Sequence, residues 1–229
     1  VYGGKIDGEL ITRICKKNGT PCWCKIIYHV MKIDEQNMRL IGKITDIDEE
    51  MKEKQALVKK AQMDALTGLY NKDAFKDQCV EYLKEYQYVN NAIVFFDVDN
   101  FKDLNDSLGH PIGDKALRDI SQKMQLIFSI RDTMGRFGGD EFCVLVKNIS
   151  EAELRTTLES LLEELRLEYG SRFLKVSVSV SIGAVCTREF GNDFDKLLEY
   201  ADKAQCCAKE TGKDGYAIYN GELRLKGYE

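Results

Sequence analysis

Two short runs constrain the fold most. Ala92–Phe96 (AIVFF) and Phe142–Val146 (FCVLV) are apolar at every position. On a strand that pattern means burial on both faces, so layers must cover the strand from either side. Each run also abuts carboxylates. AIVFF leads into Asp97-Val98-Asp99, and FCVLV follows Gly138-Gly139-Asp140-Glu141. Pairing the two strands would bring Asp97 and Asp140 to one edge of a sheet, where open α/β sheets place their ligands. Carboxylate oxygens gathered at such an edge suit a hard dication, whose shell substrate phosphates can complete.

The surrounding pattern supplies the layers. Lys72–Tyr86, Gly113–Ser129, Glu151–Tyr169 and Phe194–Glu210 carry helical periodicity, with Ala116, Leu117, Ile120, Met124 and Ile127 on one face of the second. Val176, Val178, Val180 and Ile182 alternate with polar or small residues, the period of a strand. Tyr216–Tyr219 reads as a last short strand. Helices interleave with strands while a tight Gly-Gly turn joins the middle pair, so the expected fold class is α/β, a mixed central sheet flanked by helices.

Upstream the character changes. Residues 1–48 read as extended segments, with turns at Gly3-Gly4 and Lys17–Pro21. A hairpin is expected from Cys22–Lys32 and Met38–Asp46 around Asp34–Asn37. Asp48–Ala65 has neither Gly nor Pro and reads as a helix. Ile47, Met51, Lys54, Val58, Ala61 and Ala65 form a weak heptad seam along it. A solvated linker helix and a two-stranded coil both fit that seam.

Composition removes some functions. The chain has 229 residues and a net charge of -5, where a surface made to coat nucleic acid would be basic. Its apolar runs are too short to span a bilayer. Eight cysteines show no disulfide framework and read as reduced, mostly buried thiols. The expectation is a cytoplasmic fragment of a longer protein, without a signal peptide or a membrane segment. Cys15, Cys22, Cys24 and His29 match no familiar zinc-finger spacing, and Trp23 reads as packing.

Five motifs in order carry a family resemblance. DALTGLYNK (Asp64–Lys72), FDVDNFKDLND (Phe96–Asp106), GHPIGD (Gly109–Asp114), GGDEF (Gly138–Phe142) and YADKAQCCAKETGKD (Tyr200–Asp214) resemble the GGDEF family of diguanylate cyclases over about residues 62–220. The resemblance implies a nucleotidyl-cyclase-like sheet at residues 64–221 and condensation of two GTP into cyclic di-GMP by a homodimer. It implies Mg²⁺ or Mn²⁺ on Asp97, the Val98 carbonyl and Asp140, with Glu141 adjacent and assisting. It implies guanine contacts from Asn105 and Asp114, and triphosphate contacts from Lys102, Lys209 and Lys213, with the Gly138-Gly139 backbone against the nucleotide. Lys213 stands where the family commonly has Arg, which keeps the charge and loses the bidentate fork. Asp114 also fits a helix N-cap, and His110 fits a structural hydrogen-bonding role. Many members carry an inhibitory Arg-x-x-Asp product site. Here Asp132 is in place and Ser129 replaces the arginine, so feedback through that site is expected to be weak or absent.

Residues 1–48 are similar to the last strands of a PAS sensor domain, and GKITDIDEE (Gly42–Glu50) to the segment that ends such domains and starts the signalling helix, here residues 49–63. The retained acids favour an enzyme; the alternative is a catalytically silent GGDEF module that binds GTP or a partner.

Overall fold

In the computed structural model, residues 6–32 and 37–221 are described. One compact unit runs to Ala61 and a second begins at Gln62.

The first unit is a three-stranded antiparallel sheet, β1 (Ile6–Cys15), β2 (Pro21–Lys32) and β3 (Met38–Asp46), followed by helix α1 (Asp48–Gln62). The β2–β3 pairing is the expected hairpin. The Gly3-Gly4 turn and residues 34–36 of the hairpin turn lie outside the described residues. Register puts Thr12, Cys24 and Asp46 in one row and Leu10, Ile26 and Ile44 in another on the same face. Ile47 is buried beside the sheet, its N–H donating to the Trp23 carbonyl at 2.9 Å, so it does not belong to the helical seam. The helix stops at Gln62, which removes Ala65 as well.

The second unit contains β4 (Tyr70–Asn71), α2 (Lys72–Glu85), β5 (Ala92–Asp99), α3 (Phe101–Leu108), α4 (His110–Ile127), β6 (Thr133–Gly138) and β7 (Glu141–Val146). These are followed by α5 (Glu151–Leu165), β8 (Leu167–Gly170), β9 (Lys175–Cys186), α6 (Thr187–Phe190), α7 (Phe194–Glu210) and β10 (Gly215–Ile218). The sheet order is β10-β9-β5-β7-β6-β4, with β8 against β9. β5 runs antiparallel to both neighbours, whereas β10 is parallel to β9 and β4 parallel to β6, so the sheet is mixed as expected.

Parity sorts the core. Ala92, Val94, Phe96 and Val98 of β5 face a cluster built with α3, α4 and α5. Ile93 and Phe95 face the opposite cluster, built with Phe75, Cys79 and Leu83 of α2 and Phe194, Leu197 and Ala201 of α7. An all-apolar strand is what a two-sided burial of this kind demands. Asn71 caps α2, and a reciprocal Ser150–Glu153 capping box starts α5.

Three local readings change. The stretch after β5 contains a separate two-turn helix, α3, which Gly109 ends at φ 84°. α4 begins at His110 with Pro111 in its first turn, so Asp114 lies inside the helix and is not its N-cap. His110 is the exposed first residue of that helix. α5 ends at Leu165, because Leu167–Gly170 leaves to pair with β9. All eight cysteines are free, five of them buried. Among the described residues, no helix is long and apolar enough to cross a membrane.

Candidate active site

The β5–β7 register pairs Asp97 with Glu141, and the Val98 N–H donates to the Asp140 carbonyl at 3.2 Å. Antiparallel partners share a face, so Asp97 and Glu141 both stand on the α7 side, as Asp99 does by parity. Asp140 occupies the turn between β6 and β7. That turn needs glycine: Gly138 and Gly139 take φ of 138° and 54°, and a Cβ at either would meet open space.

A brace that the sequence reading missed holds the turn. Arg136 Nη1 donates to both Asp64 oxygens at 3.1 and 3.2 Å, while its Nε and Nη2 donate to the Gly139 carbonyl at 3.0 and 2.6 Å. Asp64 also accepts from the Thr67 N–H and hydroxyl. Burial pushes the Asp64 carboxyl up, but the two Thr67 hydrogen bonds, with the Arg136 pair adding, outweigh it and hold Asp64 below the usual carboxylate range. Asp64 opens the DALTGLYNK motif and Arg136 stands two residues before GGDEF, yet their 72-residue separation gives no local signal.

The edge is strongly acidic. Burial pushes the Asp97 carboxyl up, Asp140 and Asp99 add to the shift, and Lys209 opposes it from 3.0 Å. Burial also raises Glu141, with the charges of Asp97, Asp140 and Asp202 adding. Asp97, Asp140, Glu141 and Lys209 are thus brought together. Lys209 pairs with a carboxylate here, so at this edge it offers a cation that a phosphate can compete for.

The remaining candidates sit around this edge. Lys213 Nζ donates to Asn100 Oδ1 at 2.8 Å, at the start of α3. Lys102 is exposed in the first turn of α3 and pairs with none of the others. Asn105 lies on α3 with its Oδ1 buried and unpartnered. A Cβ on Gly113 would sit 2.0 Å from that oxygen, so only glycine lets α4 pass so close to Asn105. Asp114 is the next residue and is exposed.

The donor set suits a hard cation. Carboxylate oxygens that repel one another, plus a backbone carbonyl, are what Mg²⁺ takes when phosphates supply the rest of its shell. Among the described residues, no three His, Cys, Asp or Glu side chains form a ready-made metal cage. Asp99 is not open to such a role, because its oxygens are already used by Ser179, Ser181 and the Asp214 N–H.

Known proteins agree with this architecture. The family model described as "Diguanylate cyclase, GGDEF domain" matches residues 61–215. The cyclic di-GMP phosphodiesterase PdeR of Escherichia coli is 33% identical over 190 residues, 83% of this chain and 29% of PdeR. The probable diguanylate cyclase DgcT of the same organism is 29% identical over 161 residues, 69% of this chain and 36% of DgcT. This chain therefore spans about a third of the length of these two relatives. Diguanylate cyclase SiaD of Pseudomonas aeruginosa, solved in complex with its activator SiaC, superposes with a TM-score of 0.66 at 29% identity, covering 74% of this chain and 66% of SiaD. The matched model covers most of the chain and the sheet that carries the acidic edge, and on that ground the chain belongs to the GGDEF family of diguanylate cyclase domains.

Proposed function

We propose that this chain condenses two GTP into cyclic di-GMP and two pyrophosphates, using Mg²⁺ or Mn²⁺, as a homodimer under the control of its N-terminal unit. The observation that carries the reading is the β5–β7 register, which gathers Asp97, Asp140 and Glu141 beside Lys209 at one sheet edge.

Each 3′-hydroxyl attacks the α-phosphate of the partner nucleotide, forming a phosphodiester and releasing pyrophosphate. Asp97, Asp140 and the Val98 carbonyl would hold the dication. When bound, it would supply polarisation of the phosphoryl oxygens and a lower pKa for the attacking hydroxyl. The chain's own groups bind and orient. Lys209 and Lys213 face the phosphates from the end of α7, and Lys102 from α3. The turn backbone at Gly138-Gly139 lets the nucleotide lie close. Asn105 and Asp114 read the base: a carboxylate accepts from guanine N1–H and its 2-amino group, a donor pair adenine lacks. Burial of an unpartnered Asn105 oxygen beside Gly113 supports a polar ligand at that corner, since such an atom otherwise goes unpaired. In each site a single GTP is bound, so two copies must meet.

The three-stranded unit has the character of the closing strands of a PAS-like sensor, and α1 that of its signalling helix. A second reading, a GTP-binding regulatory module without turnover, has one observation in its favour: the relative at 33% identity is named a phosphodiesterase.

Incubation of the purified chain with GTP and Mg²⁺, followed by nucleotide analysis, separates the two. Cyclic di-GMP is expected, and Asp140→Ala should lower its rate by about a thousandfold or more, the scale of losing several kcal/mol of transition-state stabilisation. GTP binding with no product, even at high protein concentration, would establish the silent module.

A further inference from the structure

Asp99 is 2% exposed and accepts three hydrogen bonds. Ser179 Oγ donates at 2.8 Å, Ser181 Oγ at 2.7 Å and the Asp214 backbone N–H at 3.1 Å. The two serines belong to β9, already paired with β5 through Asp97↔Ser181 and Asp99↔Ser179. Apolar side chains would hold that strand pair at least as well, since a buried charge is poor evidence for stability. The third donor is different. It comes from the loop after α7, 115 residues further along the chain.

That loop is joined twice to the junction between β5 and α3. Next to the Asp214–Asp99 bond, Lys213 Nζ donates to Asn100 Oδ1 at 2.8 Å. Among the described residues, four non-glycine positions have positive φ, and three of them meet here: Asn100 at 59°, Lys213 at 63° and Asp214 at 46°. Backbone strain of this kind persists only where surrounding contacts over-determine it, and it collects at functional sites. Outside the loop, Arg166 Nε holds both Asp214 oxygens at 3.0 and 2.8 Å. Within it, the Gly212 and Lys213 N–H groups donate to the Lys209 and Ala208 carbonyls and close the end of α7.

We infer that Asp99 is a positioning residue for the nucleotide's phosphates. It latches the 211–214 loop, and with it Lys213, onto the end of β5 and the start of α3. The inference rests on the reading of a GTP site at this edge. Asp99 acts through Lys213 and touches no substrate itself. A carboxylate is required because a backbone N–H and two hydroxyls all donate into it at once. An amide in its place turns one acceptor into a donor.

The test is a double-mutant cycle of Asp99→Asn and Lys213→Met in the full chain. Steady-state kinetics with GTP and equilibrium binding of a non-hydrolysable GTP analogue are read together. Asp99→Asn should raise KM and weaken the analogue by about tenfold, the scale of one charge-assisted hydrogen bond, with kcat within about twofold. Lys213→Met should do the same, and the double variant should be no worse than either single one. Additive effects, or a fall in kcat with KM unchanged, would overturn the latch. Should Asp99→Asn fail to fold, Ser179→Ala removes one donor from the same carboxylate. A KM rise of about threefold that Lys213→Met absorbs supports the latch, and an unchanged KM overturns it. A wild type that neither binds the analogue nor makes product would sink the reading of function and the latch together. An active wild type with an additive cycle would sink the latch alone.

Discussion

Asp97 carries opposed influences on one carboxylate. Its side chain is 16% exposed, so burial disfavours its charge, and Asp140 adds repulsion. Lys209 at 3.0 Å recovers only part, and the carboxyl stays above its ordinary range. Glu141 is raised in the same way. A carboxyl raised in the folded state binds more protons folded than unfolded. Its contribution therefore declines as pH rises from the ordinary carboxylate range through the raised value. Metal-free Asp97→Asn should accordingly melt at a higher temperature than wild type near pH 7, although the variant gives up the partly exposed Lys209 pair, worth about 1 kcal/mol. The gap should narrow as pH falls through the raised value towards the ordinary carboxylate range, where the wild-type carboxyl takes up its proton. Saturating Mg²⁺ with GTP should stabilise only the wild type. Thermal melts across this range check it, and a variant that melts lower at neutral pH contradicts it. The two acids of the edge were legible because each adjoins an all-apolar strand. Asp99 was not legible as a latch. It has the same parity as Asp97, and the partners that fill its oxygens come from β9 and the loop beyond α7, which no local pattern connects to it.

At the scale of elements, periodicity found the main helices and the inner strands. It failed where the signal changes within a few residues. α3 spans only eight residues between a left-handed Asn100 and Gly109, too short for a periodic pattern to stand out. β8 continues the polarity of α5 and is a strand only because β9 lies beside it. The approach of α7 to β9 was equally hidden, although Gly183 marks it. A Cβ there would lie 1.9 Å from the Ala201 carbonyl and 2.3 Å from the Gln205 nitrogen. Both are helix backbone, so α7 would have to move. Gly183→Ala should cost about 2 kcal/mol or more in denaturant melts. It should also raise KM for GTP, because Lys209 rides on that helix and Lys213 on the loop that follows it. The loop between α4 and β6 behaves differently. Asp132 accepts from the Ser129 N–H at 2.8 Å and the Lys147 N–H at 2.9 Å, so both of its oxygens are engaged in holding the loop. Asp132→Ala should destabilise by about 1–3 kcal/mol through unpaired N–H groups while leaving product sensitivity unchanged. A tight product inhibition constant that disappears in this variant would refute that view.

The whole molecule has a helix that buries nothing. α1 has 15 residues, none of them buried, with Leu57 67% and Val58 49% exposed. A helix of this length is marginal in water on propensity alone. Within its bounds the heptad seam reduces to Met51, Lys54, Val58 and Ala61, which is short and weak and suits reversible pairing of two copies. The proposed chemistry makes the same demand, since two nucleotides must face each other. If α1 supplies the contact, the rate per molecule should rise with protein concentration. Val58→Glu in the full chain, which puts a like charge on both sides of the seam, should shift that rise to about tenfold higher concentration, equivalent to about 1.4 kcal/mol of association. GTP-analogue binding to each copy should be unaffected, because the substitution is in the first unit and the proposed nucleotide site is in the second. Sedimentation velocity over the same concentrations should show the monomer persisting further in the variant. If activity and sedimentation both match wild type, the helix does not carry the pairing and the copies meet through another surface.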